Sequence, residues 1–385
     1  MGLLSSLPDQ LLLTILSLAP PSTLGSCACV CHALRAFALS EELWKAIVLE
    51  SLPDGQLLTF RRSWRHTFLS RTQAGGPTSI DARLTPPPLY SDDLFAPWFC
   101  GTATIPPSWY SLDNVPRVDG SNLSADHFEA EYIRGGGRPV VLTNVASQWE
   151  ASEWSEPSLR RRFGGRAFHV GGHSMRLSDF FDYCHATTDE MPLYLFDKQF
   201  ASAAPTLARE YTPPPIFSAE HDLFSTLPPS CRPDFRWLII GPPRSGSSWH
   251  VDPNASCAWN ACLSGRKKWI LCPPNHPPPG VTASEDGSSV TSPISLYEWF
   301  RVFYSSLHSE PPSHPSRSSH TTTPTPVEVT LEAGEILFVP QGWWHTALNL
   351  TTTIAITQNL VPRCTAHKAR NPPPPPGRTD IGVWG

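Results

Sequence analysis

Apolar positions in the first fifty residues recur at helical spacing. Leu11, Leu12, Ile15, Leu16 and Ala19 mark a first helix, with Pro8 suited to its opening turn. Pro20-Pro21 stops it, and Ser22 or Thr23 can cap a second helix carrying Leu24, Cys27, Val30 and Cys31. A third segment carries Leu34, Phe37 and Leu39, followed by Leu43, Trp44 and Ile47. Three short helices are expected here, a unit small for a stable core that gains from docking on something larger.

Further along, the period changes to that of strands. Arg138–Asn144, Leu193–Phe196 and Trp237–Ile240 read as short buried strands, and Phe128 and Tyr132 precede the first at helical spacing. Trp259–Leu263 and Lys268–Cys272 read as two strands joined by Ser264-Gly265 in a hairpin. Alternation puts Ala258, Asn260 and Cys262 on one face, and Lys267, Trp269 and Leu271 on one face of the return strand. The last strand, Thr353–Asn359, sets Thr353, Ala355, Thr357 and Asn359 opposite Ile354 and Ile356, which suggests a wet interior pocket. Residues 70–120 are rich in Pro, Gly and Ser, with Pro86-Pro87-Pro88 extended. Leu94, Phe95, Trp98, Phe99, Trp109 and Tyr110 are too apolar for a free linker, so an irregular packed arm is expected. Residues 309–326 form a Ser/Thr/Pro/His surface insertion. Pro372–Pro376 is a polyproline run with the composition of an SH3 or WW ligand.

Composition bounds the class. The 385 residues are 40% hydrophobic with 14 Trp, 18 Phe and 8 Tyr, which excludes global disorder. Pro is 43 of 385, about twice the usual share, so connections are stiff. The formal charge of −5 carries no block of like sign, so general nucleic-acid binding is not expected, although a local basic groove stays open. No apolar run reaches membrane-spanning length, and no Lys or Arg precedes Leu11–Ala19 as a signal peptide requires. Met1-Gly2-Leu3-Leu4-Ser5-Ser6 fits the loose, short myristoylation pattern. The ten Cys residues form no CxxC pair, so buried thiols in a reduced, intracellular protein are expected. Cys27, Cys29 and Cys31 read as small core residues, since helix positions 27 and 29 lie about 200° apart and cannot share a metal.

One constellation carries chemistry. Gly241–Gly246 is a turn, and Ser247–Asp252 follows as a strand on which His250 and Asp252 share a face. Downstream, Trp343-Trp344-His345 opens another strand, and His345 supplies a third ligand. Two imidazoles and one carboxylate on a triangular face leave open positions, the donor set of non-haem Fe(II) oxygenases. Lys267, inward and flanked by Trp, needs an anionic partner, which a dicarboxylate supplies. A barrel with a satisfied polar core and no metal is the plain alternative.

These stretches resemble the JmjC family of Fe(II)- and 2-oxoglutarate-dependent oxygenases, and the phosphatidylserine-receptor-like lysyl hydroxylases and arginine demethylases in particular. The resemblance rests on Gly241–Gly246, His250-Val-Asp-Pro253, Ala258-Trp-Asn260, Gly265–Trp269, Gly342–His345, Asn349-Leu350 and Thr353–Asn359. It implies a double-stranded β-helix, that is, a jelly-roll or cupin barrel, mainly β with α. It places Fe(II) on His250, Asp252 and His345, the 2-oxoglutarate carboxylate on Lys267 with Thr357 as hydroxyl donor, and Asn260, Ser247 and Tyr194 in the same pocket. Asn359 is a further pocket candidate. Ser247 stands where the close relative has Thr, and both carry a hydroxyl. The implied reaction couples oxidative decarboxylation of 2-oxoglutarate to hydroxylation or N-demethylation of a protein side chain, Lys or methyl-Arg/methyl-Lys.

Leu7-Pro8, Leu11–Leu16, Val30-Cys31 and Leu43-Trp44 resemble an F-box, which implies a Skp-type adaptor of a cullin ubiquitin ligase as partner. Tyr90–Leu94 and Pro97–Cys100 look like proteins that join an F-box to this JmjC type. The expected order is an F-box-like unit over 5–50, an arm over 51–112, an oxygenase domain over 113–362 and a Pro-rich tail over 363–385. The chain ends soon after the barrel, without the helical extension that relatives use to dimerise, so a monomer or weak dimer is expected. No Lys/Arg cluster or Ser-rich tail marks nuclear or RNA association, and either nucleus or cytoplasm fits. Two other readings stand beside the oxygenase: a non-catalytic substrate receptor of a ubiquitin ligase, and a small-molecule-binding cupin.

Overall fold

The computed structural model describes residues 4, 6–72, 89–134, 137–274, 276–284, 290–293, 295–308 and 325–365. The start at Met1-Gly2, Pro86–Pro88, the Pro372–Pro376 run and all but the last two residues of the 309–326 insertion lie outside them.

Four helices, not three, open the chain: α1 (Asp9–Ser17), α2 (Pro21–Val30), α3 (His32–Ala38) and α4 (Glu41–Glu50). The expected cap at Ser22 or Thr23 is not used. Pro21 itself is the first residue of α2, where its missing N–H is no loss. Cys31 breaks α2 from α3 and caps α3, its Sγ accepting from Leu34 N–H at 3.5 Å. Of the three clustered thiols, Cys29 is exposed and the other two half-buried, so they are less internal than expected.

The arm is more regular than its Pro and Gly content suggests. It contains α5 (Trp64–Thr72) and α6 (Asp92–Thr102), with Pro97 inside α6. Ser91 caps α6 through Leu94 N–H at 3.3 Å. Among the described residues, no helix is long and apolar enough to cross a membrane.

Sixteen short strands are described: β1 (Leu57–Leu58), β2 (Arg117–Asp119), β3 (Val140–Thr143), β4 (Ala167–Val170), β5 (His173–Arg176) and β6 (Leu195–Asp197). The barrel proper adds β7 (Arg236–Gly241), β8 (Gly246–His250), β9 (Cys257–Ser264) and β10 (Lys267–Cys272). A small hairpin, β11 (Thr282–Ala283) and β12 (Val290–Thr291), precedes β13 (Val327–Leu331), β14 (Ile336–Val339), β15 (Trp344–Asn349) and β16 (Thr353–Leu360).

The strands form a ten-stranded sheet, β1-β5-β4-β6-β7-β16-β9-β14-β3-β2, facing a four-stranded one, β13-β10-β15-β8. Inward residues of both, including Val141, Cys262, Trp269, Leu271, Leu337 and Ala347, make the core between them. This is the jelly-roll architecture that the family resemblance implies. The outer face of the large sheet carries helices. The small sheet is backed by α6 and the helix Leu296–Leu307, through Cys100, Trp249, Ile270, Trp299 and Phe300.

The expected hairpin at Ser264-Gly265 does not form. β9 pairs with β14 and β16, whereas β10 pairs with β13 and β15, so this turn carries the chain from one sheet to the other. Gly265 is needed there. Its φ is +82°, and a Cβ would stand 2.2 Å from Thr352 O. The predicted faces still hold, because inward residues of both strands meet in the space between the sheets.

α1–α4 share one hydrophobic core with the helical layer of the barrel. At the seam, buried Asp189 accepts from Trp64 Nε1 at 2.8 Å and Tyr183 Oη at 2.7 Å, and pairs with Lys45 of α4 at 3.1 Å. Lys45 also donates to Met191 O at 2.6 Å. Lys45→Met leaves the Asp189 carboxylate buried without its cation. The expected loss is about 2–3 kcal/mol in urea unfolding, and a change below about 0.5 kcal/mol refutes the seam's importance.

Candidate active site

β8 and β15 lie side by side, with His250 directly opposite His345. Their ring centroids are 4.1 Å apart. Each Nδ1 donates to a backbone carbonyl two residues earlier, His250 to Ser248 O at 2.7 Å and His345 to Trp343 O at 2.9 Å. A carbonyl can only accept, so the proton sits on Nδ1 and each Nε2 keeps its lone pair. β8 stops at His250, and Asp252 follows outside the strand, not on it as the sequence suggests. Its Oδ2 lies 3.9 Å from His345 Nε2, is buried, and has no hydrogen-bond partner. One donor atom from each of the three lies within 4.8 Å of the others.

Ser247 and His250 are three apart, which on a regular strand sends them to opposite faces. The register between β8 and β15 slips by one residue here, so Ser247 pairs with Ala347 while His250 pairs with His345. This bulge turns both side chains into the same cavity and leaves Trp249 to pack behind the sheet.

That cavity has a volume of about 960 Å³ and is lined by all nine residues singled out in the sequence: Tyr194, Ser247, His250, Asp252, Asn260, Lys267, His345, Thr357 and Asn359. Lys267 is 1% exposed. Its Nζ donates to Tyr194 Oη at 3.2 Å and stands 5.5 Å from the Trp269 ring. No carboxylate pairs with it among the described residues, so a buried cation waits for an anion. Asn260 Oδ1 is buried and unpartnered. Thr357 departs from expectation. Its hydroxyl donates to Trp259 O at 3.0 Å, so in this rotamer it can only accept from a ligand. Asn359 Nδ2 donates to Ser256 Oγ at 3.0 Å and is a wall more than a free donor.

Trp237 and Phe196 complete the aromatic wall, and the sequence reading took them only as strand residues. Trp237 is the register partner of Thr357, a signal available only once the pairing is known.

Burial holds the His250 imidazole down to about pKa 3, reinforced by neighbouring His345 and partly offset by Ser248. It is therefore neutral at physiological pH, as a metal ligand must be. An orphaned carboxylate oxygen beside two oriented imidazole lone pairs fits a divalent cation, with an anion-seeking ammonium in the same cavity.

The residues match known proteins in the same terms. Residues 125–359, more than half of the chain, match the family model of the cupin-like domain, and residues 4–50 match that of the F-box-like segment. The chain belongs to the cupin-like (JmjC) family. This cupin-like protein is 40% identical over 368 residues to arginine-specific demethylase JMJ22 of Arabidopsis thaliana, covering 94% of the chain and 69% of that relative. It is 35% identical to lysine-specific demethylase JMJ21 of the same plant, over 94% of the chain and 37% of the relative. It is 36% identical to the bifunctional arginine demethylase and lysyl-hydroxylase psr-1 of Caenorhabditis briggsae, over 64% of the chain and 62% of the relative.

The depressed His250 value sets a pH dependence. The folded value lies below the ordinary one of about 6.5, so the contribution to stability is present above that pH and is lost as pH falls toward 3. Metal-free protein is expected to lose stability on acidification through this window, and His250→Asn to flatten the profile. Equal acid sensitivity in both proteins refutes it.

Proposed function

We propose that this protein is an Fe(II)- and 2-oxoglutarate-dependent oxygenase that hydroxylates or N-demethylates a protein side chain, Lys or methyl-Arg/methyl-Lys. The observation that carries the reading is the convergence of His250, Asp252 and His345 in the cavity that also buries the unpaired Lys267. The names of the relatives support the substrate class, and the oxidised atom follows from them by analogy alone.

In this reading His250, Asp252 and His345 would hold the iron. When bound, iron would let dioxygen act as the oxidant at the expense of 2-oxoglutarate, one oxygen atom entering the C–H bond of the substrate and the other entering succinate as carbon dioxide leaves. The chain's own residues do the rest. Lys267 neutralises the distal carboxylate of the cosubstrate, and Tyr194 Oη holds the ammonium in place through their 3.2 Å contact. The Nδ1–H donations to Ser248 and Trp343 carbonyls fix both rings against rotation. Asn260 offers its free carbonyl oxygen to a donor on the bound substrate. Trp237, Trp269 and Phe196 keep bulk water from the reacting centre.

The F-box-like segment supports a second attachment, to a Skp-type adaptor of a cullin ubiquitin ligase. Leu11, Ile15 and Val30 stay about half exposed or more although the helices are docked on the barrel, an apolar surface left for a partner. A receptor whose barrel only binds is the other reading, and oxidation of 2-oxoglutarate separates the two.

Purified protein with Fe(II), 2-oxoglutarate and ascorbate is expected to release succinate slowly without substrate, and His250→Ala to abolish release while the fold survives. Undiminished release from that variant removes His250 from the metal. Lys267→Ala removes a charged hydrogen bond of about 1.5–3 kcal/mol. The expected rise in 2-oxoglutarate KM is about 10- to 100-fold with a smaller change in the iron requirement, and equal loss of both counts against the assignment. Ile15→Lys is expected to abolish capture of a purified Skp-type adaptor at an unchanged melting temperature. Retained capture refutes that surface.

A further inference from the structure

A second, smaller cavity of about 160 Å³ lies on the other side of the large sheet. β7 and β16 pair with Arg236 opposite Gln358, one step from the Trp237–Thr357 pair that lines the large cavity. Alternation turns Arg236 and Gln358 outward, and they meet Tyr211, Asp222, Arg232 and Phe235 around this space.

The lining is rich in hydrogen-bond donors. Gln358 is only 7% exposed and lines this space. Tyr211 is 6% exposed, and its Oη sits beside Arg236, from which it can accept, so that its own O–H and the buried Arg232 Nε are the donors left over. Arg236 rests against the rings of Phe235 and Phe200 at 5.7 and 5.8 Å and meets no carboxylate among the described residues. The carboxylate on the wall, Asp222, is already engaged. Its Oδ1 accepts from Phe224 and Val361 N–H, both at 3.0 Å, and its Oδ2 from Arg232 at 3.3 Å. Two guanidinium groups therefore face one committed carboxylate, and buried donors of this kind require an acceptor.

We propose that this cavity binds a small oxyanion, of the phosphate or carboxylate class, between Arg232, Arg236, Tyr211 and Gln358. A water occupies about 30 Å³ of liquid, so the space holds roughly five water volumes. That suits inorganic phosphate or a short dicarboxylate. Because Gln358 and Thr357 are consecutive on β16, an occupant braces the strand that also walls the large cavity. The site stands apart from the proposed metal ligands and does not depend on the oxygenase reading.

The test uses the full chain without added iron, titrated at constant ionic strength with inorganic phosphate, malonate or chloride. Binding is followed by thermal unfolding and calorimetry. Saturable stabilisation by phosphate or malonate, absent with chloride, is expected, and the stronger of the two identifies the oxyanion. Arg236→Gln is expected to weaken the phosphate response at least tenfold, while Lys267→Ala, which removes the carboxylate seat of the large cavity, keeps that phosphate response. Should Arg236→Gln not fold, Gln358→Ala serves in its place. No saturable response to either anion overturns the proposal. So does a response lost in Lys267→Ala but kept in Arg236→Gln, which assigns the anion to the large cavity.

Discussion

The whole site depends on one cross-strand pairing, His250 against His345 on the inner face of the small sheet. Two imidazoles side by side repel when charged and compete for the same buried space. The protein resolves this by keeping His250 neutral and by giving each Nδ1 proton to its own strand's backbone. What remains is a pair of lone pairs aimed at common ground, with the Asp252 carboxylate closing the third side. Without a cation, that arrangement leaves a buried oxygen unsatisfied. The slipped register of β8 is part of the same solution, since it lets Ser247 reach the cavity without moving His250 off its partner.

The second constraint is Lys267. A primary ammonium at 1% exposure with only a phenol oxygen and aromatic faces for company is costly in the empty protein. A ligand carboxylate turns that cost into affinity, because the lysine's desolvation is already complete before the ligand arrives. Contrast Lys268, one residue on. It points to the opposite face of the same strand and is paired at 2.5 Å with Glu328, itself wholly buried. The protein provides a counter-ion for Lys268 and, among the described residues, none for Lys267. Only the unpaired one opens into the cavity.

Much of this was readable from the chain because strand periodicity is short-range. The two-residue repeat assigned Ala258, Asn260, Cys262, Lys267, Trp269 and Leu271 to inward faces without knowledge of pairing. Which strands pair is a long-range matter, and there the reading of Ser264-Gly265 as a hairpin failed. A Gly turn between two strands looks the same locally whether the chain folds back on itself or crosses between sheets. The arm misled for a related reason. Pro97 argues against a helix, yet capping by Ser91 and burial of Cys100 and Gly101 against the barrel outweigh one lost hydrogen bond. Thr357 shows a third limit. Its position on the wall follows from alternation, but the direction of its hydroxyl is decided by the carbonyl of a strand about a hundred residues away in sequence.

The seam between α4 and the barrel bears on how the two parts work together. Lys45 and Asp189 come from opposite sides of it, and Trp64 of the arm and Tyr183 of the barrel's helical layer satisfy the same carboxylate. A buried carboxylate with three donors tolerates little sliding, since each donor lost leaves charge uncompensated. The helices are therefore set on the barrel rather than tethered to it. Any partner held by the exposed apolar residues of α1 then stands at a fixed orientation to the mouth of the large cavity.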